Sequence, residues 1–184
     1  MLGGGKPLGV CGSGYIDALG VMYRLGALDE IGHIADPEDA PEAAPFLGEL
    51  DGEPVFFLTP DHRVCITQPD ISKFQLAKAA VSAGIQILAE ETGIDVEDID
   101  AVCLAGGFGS FVRPDSAAAI GLIPAALLEK AKLMGNLSAA GAISAALSEQ
   151  ARADLTLLRD AVRFIDLPTH PSFNDAYVEG MMFE

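Results

Sequence analysis

Between Ala101 and Gly109 a short apolar run, Ala-Val-Cys-Leu-Ala, passes directly into Gly-Gly-Phe-Gly. Five apolar residues are too few for a stable helix but enough for a buried strand. The glycines then strip the following turn of every Cβ except that of Phe108. A strand buried in this way needs neighbours beside it and helices over it, and the alternation of strands and helices along the chain makes the expected fold α/β or α+β. Open sheets of this class bind ligands at the carboxyl ends of their strands. Gly106 and Gly107 therefore carry two readings: a crowded strand-to-helix turn, or bare backbone on which a flat ring or a ribose can lie.

The surrounding sequence supplies the helices and strands this fold requires. Ile16, Leu19, Met22 and Leu25 recur at helical spacing between Gly14 and Leu28. Three prolines among Asp and Glu from Asp36 to Pro45 read as an exposed, acidic loop. Pro54 to Thr59 and Val64 to Thr67 are β-rich runs around Pro60-Asp61-His62-Arg63, a hairpin pattern. Thr67 can cap a long helix, with Asp70 at the capping-box position, Ile71, Phe74, Ala77, Val81, Ile85 and Leu88 as its buried stripe, and Gly93 as its end. Pro114 to Ile120, Pro124 to Leu128, Leu137 to Leu147 and Leu155 to Ala161 read as helices, and Val162 to Leu167 as a strand. With no repeat or linker in 184 residues, residues 1–184 are expected to form one domain.

Composition excludes several function classes. Half of the residues are hydrophobic and 21% are charged, too apolar for a disordered chain. The net charge of −16 argues against nucleic acid and anionic membranes as partners. The longest apolar stretch, Ala117 to Leu128, is shorter than the ~20 residues of a spanning helix and contains Gly121 and Pro124. The start of the chain lacks a long apolar signal region, so a cytoplasmic location is expected. Cys11, Cys65 and Cys103 are too scattered for a metal cluster and are expected to be buried thiols. His33, His62 and His170 read as isolated surface residues, and no metal site is expected. Gly12-Ser13-Gly14 lacks the frame and partners of a serine nucleophile, and Gly5-Lys6 is not a P-loop.

Besides Gly106-Gly107-Phe108, three features are candidates for binding. Gly12, Ser13 and Gly14 open a helix, where backbone N–H groups can meet a phosphate; Ser13 can equally be a simple N-cap. Gly135-Asn136-Leu137-Ser138-Ala139-Ala140-Gly141-Ala142 is a run of small residues opening another helix, suited to close packing. Lys78, among Ala77, Ala79 and Ala80, can reach a ligand or extend its ammonium to water.

Taken in order, Gly-Ser-Gly-Tyr-Ile-Asp from Gly12, Leu-Ala-Gly-Gly-Phe-Gly from Leu104 and Gly-Asn-Leu-Ser-Ala-Ala-Gly-Ala from Gly135 resemble the second half of the acetate and sugar kinase, Hsp70 and actin superfamily. The resemblance implies an RNase H-like half-domain of α/β class, a mixed sheet flanked by helices. Gly106, Gly107 and Phe108 would lie at the adenosine, Gly12, Ser13 and Gly14 at the phosphates, and Lys78 on a helix that reaches the adenosine. The helix after Gly135 would be the second connecting helix of the interdomain hinge. Thr67-Gln68-Pro69-Asp70-Ile71, Gln75 to Ala80, Gly121-Leu122-Ile123-Pro124 and Phe173 to Phe183 narrow the resemblance to the C-terminal domain of the reductive activators of corrinoid proteins.

That family implies ATP with Mg as ligand and a [2Fe-2S] cluster in an N-terminal domain absent from this chain. It implies as partner a corrinoid protein or a corrinoid-dependent methyltransferase, returned from cob(II)amide to the cob(I) state, and homodimerisation is a further expectation. The chain is expected to be the C-terminal part of a longer protein whose metal-positioning carboxylates lie elsewhere, so no catalytic residue is named. Two alternatives stand beside this reading. One is an activator of 2-hydroxyacyl-CoA dehydratases; the other is a non-catalytic docking or dimerisation module working through the acidic surface.

Overall fold

A computed structural model describes residues 5–109 and 111–183, with the side chains of Phe108 and Gly109 outside the description. Helix α1 (Gly12–Arg24) buries Ile16, Leu19 and Met22 along one face. The acidic segment that follows does more than face solvent, because Ala40 and Ala43 are buried between its exposed acids and prolines. Strands β1 (Leu47–Leu50), β2 (Glu53–Phe57) and β3 (Cys65–Thr67) form an antiparallel sheet in that order, with Leu47 opposite Phe56 and Val55 opposite Thr67. The expected β2–β3 hairpin is present. Strand β1 was not expected, although Asp51-Gly52 marks its turn: both residues have positive φ, 54° and 83°, as a two-residue hairpin loop demands.

Helix α2 (Gln68–Thr92) starts at the expected capping box. The Thr67 hydroxyl accepts from the Asp70 N–H at 3.3 Å and the Asp70 carboxylate accepts from the Thr67 N–H at 3.2 Å. Gly93 ends the helix in the left-handed region. Its buried face differs from the expected stripe: Ile71 is buried, but Ala77, Val81 and Leu88 are exposed and Lys78, Ala79, Ala83 and Ile87 take the inside. The rotation has a tertiary cause. Helix α2 packs along α7 (Phe173–Glu179), and the backbone at Gly180 approaches so closely that a Cβ there would lie 3.1 Å from the Ala79 Cα.

Strand β4 (Val102–Ala105) runs into the short helical turn α3 (Gly106–Gly109). Helix α4 (Pro114–Ala119) follows, and Ala125–Lys130 is a 3-10 helix rather than the α-helix expected over Pro124 to Leu128. Strand β5 (Ala131–Gly135), unexpected from sequence, pairs parallel with β4. Helices α5 (Leu137–Leu147) and α6 (Glu149–Ala161) come next. No strand forms over 162–167; the chain is extended there and enters a 3-10 turn at Leu167–Thr169. The mixture of strand directions is thus divided between an antiparallel sheet and a parallel pair. No helix of the described residues is long and apolar enough to cross a membrane.

One core cluster runs from Ile16 on α1 through Phe56 and Ile66 of the antiparallel sheet to Ala117 and Ile120 around α4, and Phe183 closes it. Helices α1 and α4 cross at Gly20, where an added Cβ would sit 3.0 Å from the Ser116 Cα. Because that neighbour is backbone, the crossing cannot yield by a rotamer change. A Gly20→Ala substitution is expected to cost about 1 to 3 kcal/mol, the range for overpacking, read as a lower melting temperature without loss of helical circular dichroism.

Candidate nucleotide site

At the start of α1 the N-cap is Cys11, not Ser13, and no side chain caps the first turn. Ser13 lies inside the helix with its hydroxyl 3.4 Å from the Cys11 sulfur. The N–H groups of the first turn have no partner within the helix, because the first helical bond runs from the Tyr15 N–H to the Cys11 carbonyl at 2.8 Å. The local field already shows in Cys11: the Ser13 hydroxyl, then the Gly14 N–H, hold its thiol below the ordinary cysteine range. This end of α1 favours negative charge, as a phosphate-facing turn requires. The cysteines themselves depart from expectation, with Cys11 and Cys103 exposed and Cys65 partly so.

At the carboxyl end of β4, Gly106 adopts φ +95°, a conformation that L side chains rarely enter. Gly107 distinguishes its two readings. A Cβ built on either glycine meets no heavy atom within 4 Å among the described residues, so the turn is not a crowded one. The open space lies at the end of the parallel pair, where Ala105 is in register with Gly135 after an irregularity at Leu104/Ala105. Gly135 has φ +65°, and the Asn136 side chain then caps α5 by accepting from the Ala139 N–H at 3.0 Å. The strand pairing brings Gly106-Gly107 and Gly135 to one end of the β4–β5 pair, and α3 packs on β5 and on α1. The side chain of Phe108 falls outside the described residues.

Lys78 does not join this group. It is 2% exposed, and its ammonium donates to the Gly180 carbonyl at 2.9 Å and to the Met182 carbonyl, with the Phe183 ring centroid 5.7 Å away. The expected route to water is therefore absent; the cation sits at the carboxyl end of α7, where carbonyls point outward from the helix. Gln75 adds a bond to the Met181 carbonyl, and the Phe183 N–H donates to Glu30. Lys78 also lines a cleft of about 190 Å³ together with Ser82, Gln86, Glu97 and Glu179.

From sequence Asp17 reads as an acid near the phosphate loop or as a dipole partner of the amino end of α1, whereas Ser116, Arg113 and Tyr15 carry no such signal. Asp17, on α1, has a buried Oδ1 without a hydrogen-bond partner among the described residues, as does the Ser116 hydroxyl on α4. Arg113 is held above its ordinary value mainly by its bond to Asp115, with the Asp17 charge adding to it. The spacing of Asp17 and Gly20, one helical turn apart, is the signal that places the acid against α4. The Tyr15 hydroxyl, also buried and unpartnered, is pushed upward first by burial and then by the Asp70 charge. His170 is not a free surface residue: its Nε2 lies 3.3 Å from Glu91, which also accepts from Arg163 at 3.0 Å. No group of three or more His, Cys, Asp or Glu among the described residues is arranged to hold a metal ion.

Residues 1–184 match the family described as the C-terminal domain of RACo, the ASKHA domain. The whole chain is 30% identical to part of the corrinoid activation enzyme RamQ of Eubacterium limosum, covering 32% of that protein. It is also similar to a solved structure, the reductive activator for corrinoid, iron-sulfur protein, with a TM-score of 0.85 and 32% identity over all of this chain and 30% of that one. The chain thus spans about a third of the length of these relatives.

Two outcomes follow from this geometry. Ser13→Ala removes the main cause of the lowered Cys11 thiol, so the rise of its alkylation rate with pH should move to higher pH, measured by iodoacetamide labelling and peptide mass spectrometry. Lys78→Met keeps the stem but leaves the two closing carbonyls without their cation. A loss of about 2 to 3 kcal/mol is expected, with faster proteolysis after Tyr177, read by denaturant melts and limited digestion.

Proposed function

The chain belongs to the family of the C-terminal ASKHA domain of RACo, and from that premise we propose that it is the adenosine-binding portion of an ATP-dependent reductive activator of a corrinoid protein. The observation that carries the nucleotide part is the open backbone at Gly106-Gly107, at the end of a parallel strand pair, in a turn that packs on α1. Both glycines face space that a packed turn would fill, and a base or ribose fits such a surface. On this reading Gly106 and Gly107 receive the adenosine, with Phe108 included by its place in the turn. The N–H groups of Gly12, Ser13 and Gly14 face the phosphates. Lys78 enters through the segment it holds, since its ammonium fixes the wall of the cleft it lines with Ser82, Gln86 and Glu97 at Gly180.

Bound ATP would supply the driving force of phosphoryl transfer. The carboxylates that position Mg and water, and the cysteines of a [2Fe-2S] domain, are assigned to the part of the relatives' length outside this chain. The corrinoid partner rests on what the relatives are named for: RamQ is a corrinoid activation enzyme, and the structural relative is an activator for a corrinoid, iron-sulfur protein. A corrinoid-dependent methyltransferase is a finer version of the same proposal. These names favour a corrinoid system over a 2-hydroxyacyl-CoA dehydratase.

The glycine turn gives the test. In a chimera in which this chain replaces the matching stretch of RamQ, Gly107→Ala should weaken ATP binding about ten- to a hundredfold by calorimetric titration, the equivalent of about 1 to 3 kcal/mol. Its melting temperature should hold, because the new methyl group meets no described protein atom. Unchanged affinity would remove the assignment of this turn to adenosine.

A further inference from the structure

Helices α1 and α4 meet at Gly20 and Ser116, and the polar side chains around that crossing are not matched to one another. The buried Ser116 hydroxyl lacks a hydrogen-bond partner among the described residues. So does the buried Oδ1 of Asp17, three residues before Gly20 on α1. Arg113 stands the same distance before Ser116, at the N-cap of α4. One edge of its guanidinium is taken by Asp115, with Nε at 3.1 Å and Nη2 at 2.8 Å, while its Nη1 makes no bond among the described residues. The Asp17 charge already acts on Arg113, adding to the effect of Asp115. Of the two acids, Asp115 is the weaker partner. Its side chain is 47% exposed and that of Arg113 65%, and an exposed ion pair contributes little to stability. A buried carboxylate oxygen without a donor, by contrast, is costly.

The two acids belong to different parts of the fold. Asp115 is two residues from Arg113 and moves with it, whereas Asp17 rides on α1, one turn inside the end that carries Gly12 to Gly14. Arg113 itself follows the Gly106–Gly109 turn by four residues. On the assignment of these segments to phosphates and adenosine, one nucleotide touches both and draws the starts of α1 and α4 together. We propose that Asp17 and Arg113 are positioning residues for that nucleotide: Arg113 exchanges Asp115 for Asp17 as the site fills, and the new pair locks α1 to the glycine turn. The proposal rests on the nucleotide reading above. The exchange gives the buried oxygen its donor. It leaves Asp115 on an open cleft of about 570 Å³ that a second guanidinium, that of Arg24, also lines. Neither side chain touches the nucleotide; the pair forms behind it and holds the two gripping segments in place.

Calorimetric titration of ATP into the RamQ chimera tests the exchange. Asp17→Asn and Arg113→Gln should each weaken binding about tenfold, the scale of a hydrogen bond to a charged group. The double variant should bind no worse than either single one, because both changes break the same pair. Asp115→Asn should tighten binding about threefold, since it removes an exposed competitor for Arg113. A merely structural role of Asp115 at the start of α4 predicts weaker binding there. Without nucleotide, Asp17→Asn should not lower the melting temperature, because its pair has yet to form. Unchanged affinity in Asp17→Asn, losses that multiply in the double variant, or weaker binding by Asp115→Asn would each overturn the proposal. Its failure is distinct from that of the adenosine assignment. If Gly107→Ala weakens ATP binding and Asp17→Asn does not, the glycine turn keeps its role and only the pair is lost. An unsubstituted chimera that binds no ATP overturns both.

Discussion

A buried ammonium ties the two halves of the fold together. Lys78 comes from the middle of α2, the longest helix, and spends its donors on carbonyls of the closing turn at Gly180 and Met182. Without that bond the turn would bring buried carbonyls against an apolar helix face, where an unpaired polar group is costly. With it, Phe183 reaches the core and its N–H reaches Glu30, on the loop after α1. The helix, the closing segment and the loop that precedes the antiparallel sheet are therefore held at one point. The orientation of α1, and with it the end that carries Gly12 to Gly14, depends on the same core.

Glycines divide into two kinds in this fold. At Gly20 and Gly180 the missing Cβ lets backbones meet, and the space is filled by Ser116 and by Ala79 with Ser82. At Gly106, Gly107 and Gly141 the corresponding space is empty of described protein atoms. The first kind fixes how helices pack; the second leaves its backbone facing open space. Sequence does not separate them, because what lies opposite a glycine is decided by residues far away along the chain.

Local rules made much of the fold legible. Thr67, Asp70 and Gly93 bounded α2 correctly because capping is settled within a few residues, and the β2–β3 hairpin was readable for the same reason. A common site for three glycine segments was implied by resemblance to a superfamily rather than by their chemistry, and strand pairing brings two of them, Gly106-Gly107 and Gly135, to one end of the β4–β5 pair. What failed was decided at longer range. The inward face of α2 turned with its packing on α7, Lys78 found carbonyls a hundred residues away, and the cysteines of β4 and α1 are exposed because little of this chain covers them. Strand β1 was a different kind of miss: Asp51-Gly52 is a local hairpin signal that the acidic, proline-rich surroundings obscured.

The pairing of Phe183 with Glu30 also sets an order of events during synthesis. Chains emerge from the ribosome amino end first and begin to fold as they do so. Helix α1, the antiparallel sheet and α2 can assemble early, but the place that Phe183 fills stays open, and Lys78 lacks its carbonyl partners, until the closing turn has been made. Through that interval an aromatic-sized gap and a cation in an apolar groove are accessible to water and to other chains. The core around α1 and the antiparallel sheet thus stays incomplete until the turn from Gly180 to Phe183, translated well after α2, closes over it.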